Sequence, residues 1–155
     1  MTALDLYSDP SALPGSEAGR IGMLLGLKAP QRIDDIGLAE RVSNGLSVDS
    51  AESLASLVGR MHVVGPLIPE ATLRRAKKNR KPLSRKMSER LYEVCRVLDA
   101  VSRTYHGDKA AIVRFLERPH RLLGGYTPHE MARSGSTGVE AVVNMLQRAE
   151  AGFAV

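Results

Sequence analysis

The stretch SRKMSERLYEVCRVLDAVSRTYH, residues 84–106, decides the fold. Met87, Leu91, Val94, Leu98, Val101 and Tyr105 recur at steps of four, three, four, three and four. Such spacing puts six apolar side chains on one face of a continuous helix. Charged residues fill the positions between them, so this helix offers a long seam to the rest of the chain.

On both sides the same period returns and the alternation of a strand is nearly absent. Downstream, Asp108 can cap a helix whose inward residues are Ala111, Ile112, Phe115 and Leu116, closed by Pro119. Thr127-Pro128-His129-Glu130 then joins a capping Thr, a Pro in the first turn and a Glu three residues after the cap. Thr137 and Glu140 repeat that pattern before Val139, Val142, Val143, Leu146 and Ala149, and Gly152 ends the helix. Upstream, a helix over 33–44 stops at Asn44-Gly45, and a second starts near Asp49, with Asp49 and Glu52 as a capping box. Pro66 breaks the chain and Pro69 opens a helix from Ala71 to Arg80, which Pro82 stops. The 155 residues are 43% hydrophobic with two Phe and no Trp, so the core must be aliphatic. The expected class is all-α, in two halves that share the long helix.

Ser, Pro and Gly crowd residues 8–19, and residues 1–20 are expected to form a flexible arm. A helical half over 21–84 and a C-terminal half over 85–155 follow. The early acids Asp5, Asp9 and Glu17 precede the first Arg, the wrong order for a signal peptide. Residues 21–27, IGMLLGL, are too short to cross a bilayer. Cys95 is the single cysteine and falls in the helical pattern as a buried thiol. A cytoplasmic protein without a membrane partner is expected.

Enzyme chemistry finds no foothold in the sequence. His62, His106, His120 and His129 lie in separate segments, none beside a Cys or carboxylate at metal-ligand spacing. They read as exposed loop or helix-start residues. Gly124 and Gly125 lack the strand-loop-helix context of a phosphate cradle and read as a tight bend. No catalytic residue, metal ligand or cofactor site is expected.

Charge, in contrast, is concentrated. The net charge is +5, yet residues 71–90 hold nine basic residues against the single acid Glu89. The other 135 residues carry 13 basic and 16 acidic groups, so the remainder is slightly negative. Taken alone, a charge run is most often a solvated face. Here all charges in 71–86 have one sign, so pairing along the helix does not explain them. They also sit on a short helix after a turn, the place of the second helix in a helix-turn-helix. Thr72 stands near its start to reach a base or a phosphate. Arg74, Arg75, Lys77 and Lys78 cover its circumference, and Arg80, Lys81 and Arg85 extend the patch. DNA is the partner that this arrangement fits.

The two halves together resemble the Xre/ParS/MbcA family of antitoxins. The resemblance rests on GDKAAIVRFLERPHRLLGGYTPHEMA (107–132) and GVEAVVNMLQRAEAGFAV (138–155), and on IPEATLRRAKKNRKPLSRKMSERLYEV (68–94). Phe115, Leu116, Leu123, Gly124, Gly125, Thr127, Pro128, Val139, Leu146, Gly152 and Phe153 carry it in the C-terminal half. Many relatives have Trp where Phe115 stands. VVGPLIP (63–69) departs from the family's uninterrupted helix and Gly-containing turn. The resemblance implies an Xre-like helix-turn-helix half that represses its own promoter, and a C-terminal half that binds a toxin. It further implies a RES-domain toxin that consumes NAD, a homodimer within the toxin complex, and blockage of the toxin's active site by the C-terminal end. The toxin-facing residues would be Leu123, Gly124, Gly125, Tyr126, Thr127, Arg148, Gly152, Phe153, Ala154 and Val155. The alternative is a stand-alone helix-turn-helix regulator whose C-terminal half only dimerises.

Overall fold

The computed structural model describes residues 2–152, and these hold eight α-helices and no strand. They are α1 (Glu17–Leu24), α2 (Asp35–Asn44), α3 (Val48–Val58), α4 (Glu70–Asn79), α5 (Arg85–Thr104), α6 (Lys109–Glu117), α7 (Pro128–Arg133) and α8 (Ser136–Glu150). The expected all-α class is what the chain adopts.

The seam helix α5 is the axis of the molecule. Ser84 caps it, its hydroxyl accepting from the Met87 N–H at 3.2 Å. The expected stripe faces inward: Leu91, Val94, Leu98 and Val101 are buried, with Met87 and Tyr105 partly buried at its ends. Burial does not stop at one stripe. Cys95, Val97, Ala100 and Ser102 are also covered, because α1, α2 and α3 pack on α5 as well as α6, α7 and α8. The periodicity revealed the more hydrophobic face, whereas the second face is made of Cys, Ala and Val among charges. One hydrophobic cluster consequently runs from Leu4 to Leu146. Leu98→Ala should cost about 2–5 kcal/mol, the range for a buried Leu that leaves a cavity. Urea denaturation of the purified chain measures it; a loss below about 0.5 kcal/mol would contradict the burial.

The expected flexible arm is instead packed on the body. Two 3₁₀ turns, Ala3–Ser8 and Pro10–Ala12, precede Ser16, which caps α1 through the Gly19 N–H at 3.0 Å. Leu4 and Tyr7, three residues apart on one turn, are both buried. Gly107 makes their approach possible: it has φ +78°, and a Cβ there would lie 2.4 Å from the Leu4 carbonyl oxygen. Loop composition described the local backbone correctly, but two apolar anchors decide where the segment lies. α1 carries no clear signal in the sequence, since its first half, Glu17–Arg20, continues the Ser- and Gly-rich stretch and only Ile21–Leu24 of the apolar run lie in it.

Several caps also differ from expectation. α3 starts one residue after Ser47, not at Asp49, so the Asp49/Glu52 capping box does not form. α8 begins after Gly135, which leaves Thr137 inside the first turn and its pairing with Glu140 unmade. Pro69 is the residue before α4 rather than its first helical residue. Asp108 and Thr127 cap as the sequence implied.

Candidate partner-binding surfaces

α4 turns one residue, Leu73, into the core, and Ala76 is partly buried beside it. This leaves the cationic side chains outside. Arg74, Arg75, Lys77, Lys78, Arg80, Lys81 and Arg85 are all exposed, and Thr72 is half-buried. Two of the expected DNA contacts are already paired. Lys77 Nζ donates to Glu52 at 2.9 Å, and Arg85 Nε donates to Glu89 at 3.0 Å. Such exposed pairs are weak enough to exchange for phosphate. Arg74, Arg75, Lys78 and Lys81 make no ion pair among the described residues. Lys77 and Lys78 also lie in the last turn of α4, where the helix dipole favours cations.

The connection from α3 to α4 is longer than a helix-turn-helix needs. Residues 59–69 form a 3₁₀ turn, Arg60–His62, and a loop pinned by the Gly65 N–H to Ile68 oxygen bond at 2.8 Å. Gly65-Pro66, the departure visible in the sequence, sits at the tip of that loop, with Gly65 at φ +105°. Leu67 and Ile68 return the chain to the core. The interruption is therefore an ordered excursion ahead of the basic helix.

The second surface lies between α6 and α8. Phe115 anchors it, its ring 4.6 Å from that of His120 and 5.8 Å from that of Tyr105. His120 is buried, its Nε2 paired with the Phe115 carbonyl at 3.0 Å, against the expectation of an exposed loop residue. The following loop closes on itself. The His120 N–H donates to the Tyr126 carbonyl at 3.1 Å, and the Gly125 N–H donates to the His120 carbonyl at 3.0 Å. Gly124 and Gly125 have φ +66° and +86°, so the glycines supply the left-handed bend that was expected. Thr127 and Glu130 complete a reciprocal capping box, at 3.0 and 3.1 Å. Hydrogen bonding from the Thr127 backbone N–H, and then from its hydroxyl, holds the Glu130 carboxyl below its usual range.

The loop buries Leu123 and presents its neighbours. Leu122 and Tyr126 are 51% and 56% exposed, which is unusual for side chains of their size in this chain. Leu123 therefore belongs to the core that supports the surface, and Leu122 replaces it as the exposed residue. No sequence signal separated the two adjacent leucines. The 3₁₀ turn at Arg121–Leu123 rests on α8. Further along α8, Asn144, Gln147, Arg148 and Ala151 line a shallow depression. Gly152, at φ +87°, leaves the helix there. Phe153, Ala154 and Val155 lie outside the described residues.

A third cluster was invisible in the sequence. His62, Glu117 and His129 come from three segments, and their donor atoms all lie within 4.8 Å of one another. The two imidazoles stack with centroids 3.7 Å apart, and His62 Nε2 lies 3.2 Å from Glu117 Oε1. Burial, His62 and Arg133 push the His129 pKa down to about 3. Separation along the chain had concealed them.

Residues 102–152 match the model of the antitoxin Xre/MbcA/ParS C-terminal toxin-binding domain. No curated protein matches the sequence. The match begins near the end of α5, takes in α6, α7 and α8, and includes the whole Leu122–Thr127 surface. This part of the chain is therefore similar to an antitoxin toxin-binding domain, over the segment that holds the Phe115–Thr127 and Val139–Gly152 motifs.

Proposed function

We propose that the chain is an antitoxin that neutralises a RES-domain toxin which consumes NAD, and that it represses its own promoter through α4. The observation that carries this reading is the toxin-binding family match over a segment that exposes Leu122 and Tyr126 beside a rigid glycine bend. Apolar side chains held out on a fixed loop bind a partner at little ordering cost. Gly124 and Gly125 set the shape of that loop, Thr127 fixes the helix behind it, and Arg148 adds a cation on α8. The role of the chain is binding; NAD chemistry belongs to the partner. Two halves around one axis also suit a division of labour, with promoter contacts in 21–84 and toxin contacts in 85–155, and a homodimer inside the toxin complex.

The helix stop at Gly152 leads into Phe153, Ala154 and Val155, whose size and polarity suit a nucleotide cleft. Burying Phe153 in a toxin should contribute about 1.5–3 kcal/mol. Deleting residues 153–155 should then weaken neutralisation roughly ten- to hundredfold. The assay is NAD consumption by the toxin, titrated with full-length or truncated chain, alongside co-purification of the pair. Equal inhibition by both forms would move the blocking contact to the Leu122–Thr127 loop. Failure to co-purify or to rescue growth would leave a stand-alone regulator whose C-terminal half dimerises.

A further inference from the structure

We infer that His62, Glu117 and His129 form a three-ligand site for a divalent transition metal of the zinc type, clasping the N-terminal half to the toxin-binding domain. The three residues hold fixed but distant places in the chain. His62 closes the 3₁₀ turn after α3, Glu117 is the last residue of α6, and His129 is the second residue of α7. Only the last two fall inside the matched toxin-binding segment.

The separation of His62 Nε2 and Glu117 Oε1, 3.2 Å, is that of two ligands on one metal. Bonds of about 2.0–2.1 Å in a tetrahedron place neighbouring donor atoms roughly 3.3 Å apart. His129 brings the second imidazole face to face with the first at an interplanar angle of 10°, so binding one ion requires the more exposed His62 ring to tilt out of the stack until both lone pairs meet it. Room for that exists on the outer side, since the His62 and Glu117 side chains are 17% and 49% exposed. His129 is the buried, fixed member, and its ring makes no hydrogen bond among the described residues.

The donor set selects the metal. Two imidazoles and one carboxylate suit zinc, cobalt and nickel, whereas magnesium and calcium favour oxygen alone. The fourth position faces solvent past Glu117 and is open to water or to a side chain of a partner. Arg133 is the opposing charge near His129 and weakens the affinity without occupying the site.

The full chain alone is sufficient for the test, which is independent of the toxin reading. Co²⁺ and Zn²⁺ are titrated into the purified, tag-free protein, following the visible absorption of tetrahedral Co²⁺ and the thermal midpoint. One equivalent should bind, raise the midpoint, and be removed by a chelator. His62→Ala and Glu117→Gln, both at partly exposed positions, should keep the fold by circular dichroism and weaken the metal roughly hundredfold. His129→Asn checks the buried ligand. Absence of saturable binding of either metal overturns the site. Equal affinity in wild type and His62→Ala overturns it too, since the ion then binds elsewhere on the chain.

Discussion

Asp99→Ala is expected to destabilise the chain by about 3–5 kcal/mol, the range for breaking a buried ion pair by removing one partner. Asp99 is fully buried in the middle of α5. Its Oδ1 accepts from the Tyr7 hydroxyl at 2.7 Å and from Arg20 Nε at 2.9 Å. Its Oδ2 faces Arg20 at 3.4 Å and Arg103 Nε at 3.5 Å. Burial and the neighbouring carboxylate push the Tyr7 phenol far up, so it remains a neutral donor. Alanine would leave the Arg20 guanidinium, whose side chain is only 12% exposed, and the Tyr7 hydroxyl without their acceptor. Equilibrium urea denaturation at neutral pH gives the loss directly. A value under about 1 kcal/mol would mean that water replaces the carboxylate at little cost.

That network marks the boundary of what the sequence revealed. α5 was legible because its apolar residues repeat with the helical period, and α6 and α7 because Asp108, Thr127 and Pro128 are strong local signals. Asp99 was not legible. Its partners are 92 and 79 residues away, and a carboxylate on a charged helix looks solvent-facing until Tyr7 and Arg20 arrive. His62, Glu117 and His129 eluded the sequence for the same reason. Leu122 and Leu123 show the opposite limit, where the register of one 3₁₀ turn decides which leucine is exposed.

If α4 is the promoter surface proposed above, reversing four charges, Arg74, Arg75, Lys78 and Lys81 to Glu, is expected to remove promoter binding while leaving the proposed toxin neutralisation intact. These four make no ion pair among the described residues, whereas Lys77 and Arg85 already have carboxylates. Each phosphate contact contributes about 0.9 to the slope of log affinity against log salt. Losing four contacts should flatten that slope by up to about 3.6 and lower affinity by three to four orders of magnitude near 0.1 M salt. Folding should survive, since Leu73 carries the burial of α4. Binding isotherms on promoter DNA at several salt concentrations measure both quantities. If affinity and slope are unchanged, α4 is a solvated face and the promoter contact lies elsewhere.

Because α5 completes the core of both halves, neither half keeps its apolar seam if the other melts. Occupancy at one end is therefore felt at the other through thermodynamic linkage, with no change of shape required. A ligand of either half at a hundredfold excess over its Kd lowers the unfolded population of the whole chain about a hundredfold, or roughly 2.7 kcal/mol. Proteases draw on that unfolded population. Under the proposed function, the lifetime of the free chain and that of the toxin- or promoter-bound chain should thus differ by a similar factor, making turnover a direct reading of occupancy.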